Sequence, residues 1–194
     1  KKMSLNTIHK TIWEYLEEGI SNSKSGFHFP VVSTIDKNGY PCSRTVVLRK
    51  IDKINKIISF NTDIRSNKWL EMKNNNKISV NIYDSNKKTQ IRILGKGILN
   101  YNNENWDNAW KSTPNMSREC YSTLYSPSTI IQKPEDIDNN LKNIKDKEFE
   151  KFKVNFGRID VHIHSLDWLY LIHTGHRRAQ FIYDSKISMS WLAP

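Results

Sequence analysis

Apolar and polar positions change their spacing several times along the chain, and each change marks an element. Leu5, Ile8, Ile12, Tyr15 and Leu16 recur at three- and four-residue intervals, which predicts an amphipathic helix capped by Ser4 or Asn6 and ended by Gly19. Residues 21–26 are small and polar and read as a linker. The period then shortens to that of a strand over residues 30–35. Asp36-Lys37-Asn38-Gly39 is a hairpin turn, and residues 41–49 resume the strand. Another strand is expected at 57–61, after a basic turn at 50–56. A short helix follows from about Ser66, with Trp69, Leu70 and Met72 inward and a polar end at Asn74-Asn75-Asn76. Residues 78–83 and 90–99 predict two more strands joined by a turn at 84–88.

Helical or irregular material fills 104–124, and residues 133–151 are charged, with Ile137, Leu141, Ile144 and Phe149 as the apolar anchors. This region, about 104–152, reads as an exposed helical and charged insertion. Strands return at 155–163, 168–172 and 178–183, and 189–192 closes the sheet. Antiparallel hairpins dominate and no βαβ alternation occurs. The pattern therefore predicts a mainly β fold with peripheral helices, a small antiparallel β-barrel, formed as one domain over residues 1–194.

Aromatic residues make up 11% of the chain, enough for a packed core, so the polar composition does not signal disorder. The net charge of +10 favours an anionic partner. Nucleic acid is not the expected one, because the basic residues are dispersed among many acidic ones. No apolar run approaches the ~18–20 residues of a membrane span, and no apolar stretch follows Lys1-Lys2-Met3-Ser4, so neither a membrane segment nor a signal peptide is expected. Cys42 and Cys120 lack partner spacing and suit a reducing cytoplasm. Nucleotide-binding, serine-hydrolase and zinc-protease signatures are absent, and seven glycines leave little room for a phosphate-cradling glycine loop. Chemistry must come from side chains. His162 and His164 share a strand face without a third ligand, so no metal is expected. The acidic stretch 135–140 lacks the glycine and glutamate of a calcium loop. Trp13 and Trp69 fall on apolar helix faces and read as core.

Arg44-Thr45-Val46-Val47-Leu48-Arg49, then Phe60-Asn61-Thr62, Ser66-Asn67-Lys68, Gln90-Ile91-Arg92-Ile93-Leu94-Gly95 and the terminal Trp191-Leu192-Ala193-Pro194 form an ordered set. In order and spacing the set resembles the pyridoxamine 5′-phosphate oxidase-like flavoproteins, in the uncharacterised FMN-binding subgroup. The resemblance implies an FMN-binding split β-barrel and a homodimer with FMN at the subunit interface. It assigns the FMN phosphate to Arg44, Ser66 and Lys68, with Asn67 standing where the family usually has a further basic residue. It lays Thr45, Val46, Val47 and Leu48 along the flavin ring and puts Asn61 and Thr62 near the ribityl chain or ring. Gln90 matches a glutamine that hydrogen-bonds the cofactor, and Arg178 or Gln180 would tune the reduced flavin. Trp168 and Trp191 lie near the cofactor end of the pattern.

The departures bear on substrate. Vitamin B6 oxidases of this family hold their substrate's phosphate with a tyrosine, an arginine and a serine, where this chain has Ala109, Thr113 and Ser117. Their Arg-x-His-x-Arg segment is replaced by His176-Arg177-Arg178-Ala179-Gln180. Loss of charged hydrogen bonds at ~1.5–3 kcal/mol each argues for a different substrate. The expectation is an FMN-dependent oxidoreductase acting on a small anionic or polar molecule, with Arg49, Ser117, His176 and Arg178 on the substrate side. The alternatives are a genuine pyridoxamine/pyridoxine 5′-phosphate oxidase and a non-catalytic flavin or haem carrier.

Overall fold

The computed structural model describes residues 3–141 and 146–194. Helix α1 (Leu5–Ser21) starts where the Ser4 hydroxyl accepts from the Thr7 amide at 3.2 Å, and it buries Ile8, Ile12, Trp13 and Leu16. It runs past Gly19 and ends at Asn22. Gly19 serves a close crossing instead of a stop, since a Cβ there would lie 2.6 Å from the Phe27 carbonyl oxygen. The expected linker at 21–26 is partly structural. Asp84 accepts from the Gly26 amide at 2.8 Å and from the Ser25 hydroxyl at 3.4 Å, and a single 3₁₀ turn (Gly26–His28) drives Phe27 into the core.

Nine strands form one antiparallel sheet: β1 (Val31–Ile35), β2 (Pro41–Thr45), β3 (Leu48–Asp52), β4 (Ile57–Asp63), β5 (Lys77–Asp84), β6 (Thr89–Asn100), β7 (Phe156–Tyr170), β8 (Arg177–Tyr183) and β9 (Ile187–Leu192). Their order is β2-β1-β5-β6-β7-β4-β3, with β8 and β9 branching from β7. Two expectations change. Residues 41–49 are two strands at opposite ends of that order, parted at Val46, whose amide donates to the Pro30 carbonyl at 2.8 Å. The strands expected at 155–163 and 168–172 are one continuous β7.

β7 is where the sheet splits. Its first half, Phe156 to His162, pairs with β4, and its second half, Ser165 to Tyr170, pairs with β8. β6 follows it along both halves, with a bulge between Leu94 and Gly95 opposite His164. A side chain at Gly95 would collide with the backbone, its Cβ lying 2.4 Å from the His162 carbonyl oxygen. The result is a split barrel whose sheet does not close. Across it, Val32, Val80, Ile93, Leu166 and Phe181 stand in register on one face and are all buried. Asn81, Arg92, Asp167 and Gln180 stand in register on the other face.

Among the described residues four further α-helices lie outside the sheet: α2 (Asn67–Asn74), α3 (Glu104–Lys111), α4 (Asn115–Arg118) and α5 (Glu135–Leu141). On α2, Trp69 and Met72 turn inward as expected, whereas Leu70 is 61% exposed. The insertion is not wholly exposed. Ala109, Trp110, Tyr121 and Phe156 make a second buried cluster against the end of the sheet, flanked by Trp106 and Phe152. Phe149 is buried, while Ile144 and the side chain of Leu141 lie outside the described residues. Among the described residues no helix is long and apolar enough to cross a membrane.

Candidate functional site

Residues from β2, β4 and the first turn of α2 converge on one cation cluster. The Lys68 ammonium, half-buried on α2, donates to Thr62 Oγ1 at 3.0 Å, and that hydroxyl lies 3.2 Å from Ser66 Oγ. Ser66 occupies the N-cap position of α2, but its side chain makes no capping bond and remains with Thr62. Arg44 donates to Thr34 Oγ1 at 2.5 Å and to the Cys42 carbonyl at 2.8 Å, and pairs with Glu71 at 3.2 Å. Thr34 also donates to Glu71. Burial lowers the Lys68 pKa, and the Arg44 charge lowers it further, against the opposing pull of Asp63 and Glu71. Asp63 itself is gripped by Arg65, whose Nη2 and Nε donate to its two oxygens at 2.7 and 3.0 Å. Arg65 also donates to the Thr123 carbonyl at 2.9 Å, tying this corner to the insertion. The cluster thus sets two cations beside the Glu71 carboxylate, which Arg44 and Thr34 already engage. Asn67 is exposed beside it.

Between Arg44 and Arg49 the chain passes from β2 to β3. Thr45 is exposed, Val46 and Leu48 are buried, and Val47 is half-buried. Arg49 reaches a cavity of about 60 Å³ shared with Asn61, Ser112, Thr113, Pro114 and Arg158. Ser117 sits nearby in chain order on α4 but is not part of that wall.

Gln90, Arg178 and Gln180 come together elsewhere, on the outer sheet face, around a cleft of about 520 Å³ that also takes in Arg92, Asp167 and Leu192. The register of the last hairpin is fixed here: Gln180 opposes Asp167 and Arg178 opposes Leu169. Arg178 forks onto Asp167, with Nη2 and Nε at 2.7 and 3.0 Å from its two oxygens. His176 is exposed in the loop before β8, where its Nδ1 accepts from the Ile172 amide at 3.2 Å. Trp168 is 4% exposed, stacked on Tyr170 beneath α1, away from both clusters, and Trp191 is exposed on β9.

Sequence reasoning did not single out Glu71, Thr34, Asp167 or Arg158. The first three take part through tertiary neighbours with no local signature. Arg158 carried a weak signal, a charge between Phe156 and Ile159 in a strand whose flanking residues are buried.

An antiparallel sheet forking at one long strand, with a short helix setting cations against its edge, defines the split-barrel class. Residues 10–100 match the family described as pyridoxamine 5′-phosphate oxidase, FMN-binding domain. Over that stretch, a little under half of its length, the chain is similar to the pyridoxamine 5′-phosphate oxidase-like FMN-binding family. A related FMN-binding protein from Nostoc punctiforme PCC 73102 has the same fold, with a TM-score of 0.76 at 18% identity, over 99% of this chain and 100% of that one. PhzG from Burkholderia lata 383, solved with tetrahydrophenazine-1-carboxylic acid, superposes with a TM-score of 0.74 at 17% identity, over 97% of this chain and 92% of PhzG. The pyridoxine/pyridoxamine 5′-phosphate oxidase of Legionella pneumophila (strain Lens) is 29% identical over 115 residues, 59% of this chain. That match spans about half, 51%, of the relative's length.

Proposed function

We propose that two copies of this chain bind FMN between them and act as an oxidoreductase on a small anionic molecule in the cytoplasm. The observation that carries this reading is the Arg44–Lys68 cluster, two cations brought together beside the start of α2 with Glu71 paired to Arg44 and none of the hydrogen bonds of Lys68 going to a carboxylate among the described residues. A half-buried ammonium whose hydrogen-bond partner is a hydroxyl is a poor structural element and a good phosphate ligand. Lys68, Arg44 and the Ser66 and Thr62 hydroxyls are the groups that would hold the cofactor's phosphate. Asn61 would stand beside the ribityl chain, and the stretch Thr45 to Leu48 would line the ring and exclude water. Bound FMN supplies a two-electron acceptor, so no side-chain nucleophile is required.

The two faces of the sheet support the second copy. Arg44 is in register with Val32, Val80 and Ile93 on the buried face, whereas Gln90 lies three residues from Ile93 on the opposite face, near Gln180 and Arg178. Gln90 and Gln180 would therefore serve the flavin held by the partner's cradle. Arg178 is committed to Asp167 and would act through that pair. His176 and Ser117 would border the substrate entrance.

Purified protein should be yellow and release close to one FMN per chain on denaturation, read by absorption and chromatography of the chromophore. A colourless protein that takes up no added FMN would remove the proposal. The Legionella relatives favour a second reading, a B6 oxidase with rearranged phosphate ligands. Turnover of pyridoxine 5′-phosphate to the aldehyde would establish it. No aldehyde from a flavin-loaded protein would leave the substrate in another class.

A further inference from the structure

Arg158 is 7% exposed at the start of β7, and among the described residues no carboxylate forms an ion pair with it. Its Nε donates to Asn61 Oδ1 at 2.7 Å, across the β4–β7 ladder where the two residues are register partners. Asp160, on the same face of β7, lends Arg158 an opposing charge but no hydrogen bond: Ser59 donates to one of its oxygens at 2.6 Å and Asn100 to the other at 3.0 Å. Among the described residues no acceptor meets the terminal nitrogens of Arg158, and the residue lines the 60 Å³ cavity. A second guanidinium, Arg49, lines the same cavity and likewise has no ion pair among the described residues. Burial lowers the Arg158 pKa, Asp160 opposes that and the like charge of Arg49 adds to it, yet a guanidinium stays protonated in a protein. Two like charges, one buried and one half-buried, are therefore held together with no ion pair of their own, an arrangement that a bound anion would stabilise.

We propose that Arg49 and Arg158 form a carboxylate-binding pocket that anchors the substrate, with Arg158 providing the charge that position 113 lacks. This rests on the reading of the chain as an enzyme for a small anionic molecule. The donors on offer are two planar forks, which match the two coplanar oxygens of a carboxylate. A phosphate would ask for further donors around a third oxygen. The Thr113 hydroxyl is already spent on the Ala109 carbonyl at 2.7 Å, and no lysine lines the cavity. Asn61 holds Arg158 in place, so β4 and β7 fix the pocket floor while the α3–α4 connection, through Ser112 to Pro114, forms its rim.

The test is calorimetric titration of the protein as purified with benzoate and, separately, with inorganic phosphate, recording the FMN content of every sample by absorption. Benzoate should bind saturably and more tightly than phosphate. Arg158→Lys, which keeps the charge and loses the fork, and Arg49→Gln should each weaken benzoate at least about tenfold, with the melting temperature of Arg49→Gln unchanged. If Arg158→Lys does not fold, Arg49→Gln decides alone. Wild-type protein without benzoate binding, variants that bind it equally well, or phosphate binding at least as tight would each overturn the pocket. A yellow protein that ignores benzoate loses the pocket and keeps the flavin. A colourless one that binds benzoate through both arginines keeps the pocket and loses the flavin reading.

Discussion

Replacing Lys68 by methionine separates a phosphate site from a merely structural lysine. The ammonium has one protein hydrogen bond, 3.0 Å to Thr62 Oγ1, and its stem lies half-buried on α2. Methionine keeps the stem's packing and removes the charge. If the ammonium holds the FMN phosphate, one charge-assisted hydrogen bond at ~1.5–3 kcal/mol is lost, so FMN affinity should fall about 10- to 150-fold. Riboflavin has the ring and ribityl chain without the phosphate, so its affinity should stay within about twofold. The flavin-free protein should not suffer: burial and Arg44 already press on the Lys68 charge, and its removal relieves both. Titration of deflavinated protein with each flavin, followed by quenching of flavin fluorescence, measures the two affinities side by side. Equal weakening of FMN and riboflavin, unchanged FMN binding, or a lower melting temperature of the flavin-free variant would refute the assignment.

Asp84, 3% exposed, takes the Gly26 and Lys87 amides at 2.8 Å each, so Asp84→Ala strands two donors. At ~1–3 kcal/mol apiece and ~2–4 °C per kcal/mol, its melting temperature should fall by roughly 4–24 °C. Burial raises the Asp84 pKa, but the Lys87 and Gly26 amides and the Lys87 charge outweigh it, so the net shift is below 3.8. Its contribution is therefore present above pH 3.8 and is lost as pH drops through the lower folded value, an acid limb that Asp84→Ala should lack. His9 is held neutral by burial and by Lys56 and Lys53, with its pKa lowered from 6.5 to about 4, and its Nε2 lies 2.6 Å from the Tyr183 hydroxyl. Stability should decline as pH falls from 6.5 towards 4, and denaturant titrations of His9→Gln should show a shallower slope over that window. Gly95→Ala puts a methyl group against the His162 carbonyl at the bulge and should cost about 1–3 kcal/mol by chemical denaturation; no change would mean the fork tolerates movement.

Alternation alone locates β5 and β6, because Ile78, Val80, Ile82, Ile91 and Ile93 place every second side chain in the core. It cannot see the break at Val46, where two adjacent valines read as strand and only the Pro30 carbonyl draws the chain aside. Gly19 looks like a helix stop for the same reason: the close crossing of Phe27 that requires a glycine is a tertiary fact. The cation cluster is more legible than the rest of the site. Thr62, Ser66 and Lys68 lie within one strand–helix turn, and Arg44 belongs to the same motif set. Glu71 joins only because α2 packs on β1, where Thr34 and Arg44 meet its carboxylate. Arg158 gains its meaning from Asn61 and Arg49, which reach it from other strands.

The fork in β7 has a consequence for how a flavin site is completed. One strand carries Arg158 where β4 is its neighbour and Asp167 where β8 is, and the bulge at His164 marks the change of partner. Arg44 belongs to the buried side of the sheet and Gln90 and Gln180 to the outer side, so under the proposed function a flavin gripped by the first would meet the other two on a second copy. Complementation between subunits tests this directly. Lys68→Met damages the cradle and Gln180→Ala damages the outer face, so each homodimer has two damaged sites. Unfolding and refolding the two variants together should give dimers about half of which are mixed, each with one site lacking both residues and one with neither missing. About a quarter of the sites should then regain wild-type FMN affinity. If both residues served one flavin within a single copy, mixing would restore none, and a monomeric mass in solution would overturn the shared site before any mixing was done.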